Sequence, residues 1–578
     1  MGDDWGSMSE STNLPTSSLG WNLYGAGFEN LGRDGKPEAL PVAAPGPDQL
    51  LVRVDCVSLC FSDLKVLTAG DQHPKLVGRD LTTNPTRLGH EASVTVIAAG
   101  AKLADRYKVG SRYAVQPDVY VKGKSTAYGY VISGALTQFH LMGPEMIDSP
   151  EGTYLIPVDG SFSAASAALT EPWACVDAAY TQRRRLEPLD GGSAWIDVAS
   201  EPNTELTWGR GANAPKRVVI TGASAAMETR LRTLLHDGCE VLVAPAPATG
   251  EIATFVKSHG GGFDDVIGIG VSEPARVAAL LAAVSFRGTF NLVGRTAGAL
   301  NVAIDAGRVH YDYIAILGTN GNDIGGAYGE ARNRAELRSG GRMVVIGAGG
   351  PMGQMHVQRA IEMENGPSLI VGVDVSAERL GVLRDRFEPL ATARGRTLII
   401  VEAADPAPVA AALAAHGAPN GADDVVVCVA APSVIEGSAT LLSDDGMLVI
   451  FAGAKIGTMT TVDIAPVASA ARQYTGTSGS SLDDQVGIVQ RAAAGKLSPG
   501  RSVAAVGGIG TAAEGLVALK EGRYPGKIAI FPQLVDLPLQ SVDELAARYP
   551  TVASAMGPER IWNVSAEQAL YAVMEVKS

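Results

Sequence analysis

The chain has 578 residues, of which 46% are hydrophobic and 19% charged, and it carries a formal net charge of −14. That length is enough for about three to four domains, the balance is that of an ordinary well-packed protein, and the negative charge excludes a large nucleic-acid footprint, which needs a basic surface. Five scattered cysteines, Cys56, Cys60, Cys175, Cys239 and Cys428, exclude a disulfide framework, no apolar run is long enough to span a bilayer, and a reduced cytoplasmic location is expected.

Residues 1–20 are acidic and polar and lack the basic start and apolar centre of a signal peptide, so a disordered tail is expected. Residues 21–196 read as a small, mostly β domain. In QLLVRVDCVSLC, Val52, Val54 and Cys56 share one face while Arg53 and Asp55 share the other, which is half-buried strand periodicity. HEASVTVIAAG and GSRYAVQP repeat the pattern, and an Ala-rich helix around residues 163–185 closes an irregular barrel-like core. From about Pro215 apolar runs alternate with helical stretches, the mark of a parallel α/β sheet. They do so twice, giving an inserted lobe over 197–336 and a second lobe over 337–505. Residues 506–578 then offer a helix, a strand able to rejoin the first domain, and surface helices near the terminus.

The second lobe opens on RMVVIGAGGPMG and runs through a second apolar stretch to Asp374. This is the grammar of a β-α-β dinucleotide site. Gly347 permits the tight turn, Gly350 lets backbone approach a pyrophosphate, and Gly353 lets the helix lie against the strand. With Pro351 and Met352 they form a loop whose helix-start amides face an anion. Asp374, about twenty residues on, is placed to accept the ribose hydroxyls. With no Arg directly after it, NAD is expected over NADP.

The first lobe looks like a copy of the second. Without a gap, RVVITGASAAME at 217–228 lies over RMVVIGAGGPMG at 342–353. DDVIGIG from Asp264 resembles DDVVVCV from Asp423, FNLVGRTAG pairs with IFAGAKIG, and ILGTNGND pairs with YTGTSGSS. Ala225 and Glu228 face Gly350 and Gly353 in this alignment, and the carboxylate of Glu228 would repel a pyrophosphate. The first lobe is therefore expected to be a scaffold without cofactor.

In the β domain, CFSD at 60–63, GHE at 89–91 and EPWAC at 171–175 offer a thiolate, an imidazole and a carboxylate from separate loops. Three such ligands with a fourth position open describe a catalytic zinc, and the absence of close Cys pairs argues against a structural one. Singly, each has a plainer reading: a Cys ending a strand is more often a small buried hydrophobe, and EP is a common helix start.

Taken in order, LVRVDCVSLCFSDLK, LGHEASVTVIAAG, AALTEPWAC, VVIGAGGPMG with Asp374, and EGRYPGKIAIFP resemble the zinc-dependent medium-chain dehydrogenase superfamily of alcohol and polyol dehydrogenases. The resemblance covers about residues 21–189 and 342–532. It implies an α/β protein with a GroES-like, mostly β catalytic domain, here followed by two tandem Rossmann-like, doubly wound parallel-sheet lobes, with the active site between catalytic and nucleotide domains. By position Cys60, His90 and Glu171 match zinc ligands, with Cys175 in reserve, and Glu171 belongs to the polyol branch. Ser62 matches the hydroxyl that passes the substrate proton outward. Asp63 and Glu91 match acids behind the ligands, which fix imidazole geometry. Gly453 and the turn 476–481, with Thr477, are candidate nicotinamide-side neighbours.

What the resemblance implies is one catalytic Zn2+, no structural zinc, NAD, and hydride transfer with a secondary alcohol or ketone of a polyol, cyclitol or sugar, phosphorylated forms included. The partners expected are small molecules, with no nucleic acid and no membrane, and homo-oligomers through nucleotide domains are the family habit. Lys65 stands where many alcohol dehydrogenases have a relay histidine. The inserted lobe invites the hypothesis that it packs within one chain as a partner's lobe would. Arg183, Arg184 and Arg185 read as a solvated helix end or a phosphate site. A zinc and NAD enzyme without net redox turnover, an epimerase or lyase, and a redox-inactive scaffold are the competing readings.

Overall fold

The computed structural model describes residues 14–121, 124–150, 152–181, 185–202, 205–294 and 298–575. It divides into two units, one of 1–175 with 480–578 and the other of 176–479.

The first unit is built on an eight-stranded sheet. Its order is Leu155–Val158, Arg112–Val115, Glu91–Ala99, Leu50–Ser58, Lys527–Phe531, Val503–Gly508 and Gln540–Ser541, with Phe139–Met142 also pairing Leu50–Ser58. Val52 faces Val96 and Val54 faces Val94 across the central pair, so the β-branched side chains that favour the strands also make its core. The polar face is not left to solvent. Asp55 is buried, accepts hydrogen bonds from Thr95 and Arg53, and pairs with Arg112 at 3.0 Å. The strand is covered on both sides because ion pairs satisfy what the alternating pattern assigned to water.

The predicted Ala-rich helix is present as Ala164–Ala168 and Thr170–Thr181. The terminal helices Val542–Arg548, Pro550–Met556 and Val564–Glu575 do more than lie on the surface. Glu567 is buried and accepts from the amides of Ala164 at 2.9 Å and Ala165 at 3.4 Å, satisfying a helix start some four hundred residues away in sequence. Of the predicted tail, residues 1–13 lie outside the described residues, whereas Ser17–Gly20 is a strand paired with Glu38–Pro41.

The second unit contains one twelve-stranded sheet. Its first six strands are Glu240–Ala244, Arg217–Thr221, Ser193–Val198, Phe263–Ile269, Val284–Val293 and Ala315–Thr319. The other six, read outward from the middle, are Gln473–Gly476, Leu442–Ile450, Ala422–Val427, Arg342–Ile346, Leu369–Asp374 and Thr397–Glu402. Each half has the 3-2-1-4-5-6 order of a doubly wound nucleotide fold.

This order corrects the internal alignment. Arg342–Ile346 is the first strand of its lobe, and its counterpart is Ser193–Val198; Arg217–Thr221 is a second strand. The glycine turns match because every βα unit needs one, and local pattern cannot tell the first strand from the second. The three later pairs do occupy equivalent fourth, fifth and sixth strands.

The halves meet antiparallel at Ile316 and Tyr474, and again where Asn301–Asp305 pairs with Met459–Asp463 through Ala303 and Thr461. Both facing pairs are 158 positions apart (474 − 316 and 461 − 303). The flanking bonds are reciprocal: Ala306 N donates to Thr458 O at 2.9 Å, and Ile464 N to Leu300 O at 2.8 Å. An isologous contact of this kind is the signature of a twofold axis. The two lobes are joined within one chain as partners are joined in a symmetric dimer.

Candidate active site

The helix Phe61–Ala69 begins immediately after Cys60. Asp63, in its first turn, accepts from Cys60 N at 3.0 Å and, through its other oxygen, from Gly89 N at 2.9 Å. The same oxygen meets His90 Nδ1 at 3.2 Å. One carboxylate thereby ties the cysteine loop to the histidine loop, and it leaves His90 Nε2 as the nitrogen able to ligate. Gly89 must be glycine: its φ is +90°, and a Cβ there would lie 2.8 Å from Val57 Cγ1. Burial works to raise the pKa of Asp63, but His90 and the amides hold it below the ordinary carboxylate value. For His90 burial opposes the charged form, and Asp63 outweighs it and carries the pKa well above the ordinary imidazole value.

Ligand atoms of Cys60, His90 and Glu91 all lie within 4.8 Å of one another, the one such group among the described residues. Glu91 is fully buried. One of its oxygens accepts from Lys527 Nζ at 2.6 Å, while Oε2 has no hydrogen-bond partner. A buried carboxylate oxygen without a partner is costly, and a cation beside it would remove that cost. Sulfur, imidazole nitrogen and carboxylate oxygen form the donor set of zinc, so the residues present fit that metal.

Glu171 lies outside this compact group but is buried beside it. Burial raises its pKa to about 7, with His90 opposing and Glu91 adding to the rise. Cys175, one turn along the helix, donates to Glu171 at 3.5 Å. Ser62 hydrogen-bonds Tyr130, whose ring lies 5.9 Å from that of His90.

Lys527 and Tyr130 had no place in the sequence reading. A signal for Lys527 existed, because a lysine opens a strand of otherwise apolar residues, KIAIF, that is buried throughout. Tyr130 left none, since it sits in an irregular loop.

In the second unit the glycine loop does what its spacing requires. Gly347 has φ +81°, and the amides of Gly347 and Ala348 both donate to Val373 O. A Cβ on Gly353 would lie 2.1 Å from Gly347 O, so only glycine lets the helix Pro351–Glu362 pack onto the turn. Gly350 caps that helix and its Cβ direction is open, with nothing nearer than 3.5 Å. Pro351 takes the first helical position, where no amide is needed, and Met352 follows it half-buried.

Asp374 ends the second strand. It accepts from Gly349 N, Ser376 N and Arg379 Nη2, the last at 2.7 Å. Gly453 follows the fifth strand. Thr477 follows the sixth, and its hydroxyl is buried without a partner. These positions lie at the carboxyl ends of the strands, where ligands bind in such sheets, and the cradle fits a dinucleotide.

The first lobe differs at the same place. Among the described residues between Val198 and Arg217 there is no helix, so its first strand is not followed by a helix start as the first strand of the second lobe is. Asp197, near the end of its first strand, is instead clamped by Arg276 through bonds of 2.7 and 2.6 Å. Arg185 pairs with Asp265 at 2.8 Å and also donates to Asp264 O, as Arg334 pairs with Asp424 and donates to Asp423 O in the second lobe. Its charge is committed to that structural role. Arg183 and Arg184 lie outside the described residues.

Residues 46–149 match the alcohol dehydrogenase GroES-like domain. Among curated proteins, the chain is 26% identical over 304 residues to mannitol-1-phosphate 5-dehydrogenase of Aliivibrio fischeri, covering 48% of this chain and 70% of that one. It is 27% identical over 300 residues to sorbitol dehydrogenase of Bacillus subtilis, covering 48% and 77%. Among solved structures, an oxidoreductase/dehydrogenase of unknown specificity from Escherichia coli superposes with a TM-score of 0.50 at 13% identity, over 89% of this chain and 99% of that one, which shows a common fold. No described helix is long and apolar enough to cross a membrane.

Proposed function

We propose that this chain, as a member of the zinc-dependent medium-chain dehydrogenase/reductase superfamily on its alcohol and polyol dehydrogenase side, transfers hydride between NAD and a secondary alcohol or ketone of a polyol, cyclitol or sugar, phosphorylated forms included. The observation that carries this is the convergence of Cys60, His90 and Glu91 within 4.8 Å, with Asp63 fixing the imidazole. The names of two relatives, one acting on a polyol phosphate and one on sorbitol, support the substrate class.

Cys60 and His90 would hold the metal with a carboxylate. Position in the family assigns that role to Glu171, while the geometry favours Glu91, which has an unpartnered oxygen turned from Lys527. When bound, zinc supplies Lewis acidity to the substrate oxygen and the nicotinamide supplies the hydride carrier. Asp63 keeps Nδ1 of His90 occupied. Ser62, hydrogen-bonded to Tyr130, is the hydroxyl placed to take the substrate proton outward. Gly347, Gly350 and Gly353 would cradle the pyrophosphate. Asp374 would accept the ribose diol, and the carboxylate at this strand end supports NAD. The first lobe, lacking the helix start, serves as the built-in partner of the second.

The test is metal content together with NAD reduction across polyols, cyclitols and sugar phosphates, for the native protein, Glu171→Ala and Glu91→Gln. About one zinc per chain and turnover of a polyol are expected, and the variant that loses zinc identifies the third ligand. Zinc and retained NAD without net reduction of any compound would refute the dehydrogenase reading in favour of an epimerase or lyase.

A further inference from the structure

Beyond the metal cluster, two basic side chains meet the ring of Tyr130 and a third acts on one of them. The His73 ring lies 5.5 Å from the Tyr130 ring, and Lys75 Nζ sits 4.6 Å from its centroid. Lys75 N donates to His73 Nδ1 at 3.3 Å, which leaves the proton of a neutral ring on Nε2 as a donor. Lys65, one turn into the helix that starts at Cys60, is the third. Lys65 and Lys75 both act electrostatically on His73 and, after burial, depress its pKa. Asp118 meets Lys75 in a long contact, at 3.5 Å, between partly exposed side chains.

We propose that Lys75 and His73, with Lys65 at the rim, form an anion subsite that receives the terminal phosphate monoester of a polyol phosphate, while the carbon to be oxidised lies at Cys60, His90 and Glu91. The proposal rests on the dehydrogenase reading and names its substrate class. Tyr130 links the two groups: its ring centroid lies 5.9 Å from that of His90 and 5.5 Å from that of His73, with Lys75 Nζ 4.6 Å away. A phosphate at Lys75 and His73 and a carbon beside His90 would both border the Tyr130 ring, a separation suited to an extended sugar-alcohol chain and not to a short alcohol. A phosphate dianion displaces the long Asp118 contact and gains a charge-assisted bond from Nζ and a second bond from Nε2.

The experiment compares kcat/KM for a hexitol 1-phosphate and the same free hexitol, in the native protein, Lys75→Met and Lys75→Arg, and measures calorimetric binding of the hexitol phosphate without NAD. The native protein is expected to favour the ester, Lys75→Met to reduce that ratio by about tenfold or more, mainly through KM for the ester, and Lys75→Arg to restore it. Equal use of ester and free polyol by the native protein, or equal loss on both in Lys75→Met, would overturn the subsite. If no polyol is oxidised by any form, the dehydrogenase reading fails by itself. Calorimetry still decides the subsite then, since phosphate-ester binding that Lys75→Met leaves intact rules it out and binding that it abolishes upholds it.

Discussion

Ile316 faces Tyr474 across the one antiparallel junction of a twelve-stranded sheet. Both residues are buried, and they hold equivalent places in two lobes that the chain carries in tandem. The edge through which a nucleotide lobe of this kind could pair with another copy is already occupied.

A monomer in solution is therefore expected, with a mass of 59.7 kDa by sedimentation equilibrium. Ile316→Ala removes a buried side chain at the seam and should cost about 2–5 kcal/mol, read as a lower unfolding midpoint with no change in mass. A native particle of twice the mass that dissociates on this substitution would show that the seam is shared between chains.

Lys527 and Glu91 form a buried ion pair at 2.6 Å, with Lys527 raised in pKa because Glu91 outweighs the burial that opposes its charge. Lys527→Met leaves a carboxylate uncompensated and should destabilise the protein by about 3–5 kcal/mol. Adding Glu91→Gln should recover a large part of that loss, because the stranded charge is gone. Urea unfolding of the four proteins forms a double-mutant cycle, and strict additivity of the two single changes would contradict direct coupling.

Two buried histidines predict the acid limit of stability. Burial lowers the pKa of His140 in the first unit and of His356 in the second to about 3 each, the latter paired with Tyr180 at 2.6 Å. Their folded pKa lies below the unfolded value of 6.5, so between those limits the unfolded chain binds more protons. Stability is then fully present above pH 6.5 and falls as pH drops toward 3, by up to about 1.4 kcal/mol per pH unit for each residue. Glu171 and His90, both raised in pKa, act in the opposite sense over part of this range, so the readout is the variant: His356→Gln should lessen the acid-side loss between pH 7.5 and 5.5 relative to the native protein. An unchanged slope in that variant would mean that His356 is not held neutral.

Much of the site was legible beforehand because its grammar is local. Gly347 and Gly353 are fixed by a turn and a helix contact within seven residues, Gly350 opens the helix between them, and Asp374 is set by the length of one crossover. Cys60, Asp63 and His90 came from short segments whose residue types state their chemistry. Lys527 was passed over because its partner is more than four hundred positions away, and nothing near it in the chain marks a buried charge pair.

The chain by itself determined where strands and helices alternate, that two lobes follow one small β domain, and where glycine turns join strand to helix. Those are consequences of steric limits and periodicity over a few residues. Only the tertiary structure decided that Ser193–Val198 leads the first lobe, that Asp55 and Glu567 are buried and satisfied, that Glu91 joins Cys60 and His90, and that the lobes close on each other through Ile316 and Tyr474. Each of these depends on which distant segments share an edge or a face, and hydrogen bonds and buried charges are completed there by partners that no local pattern specifies.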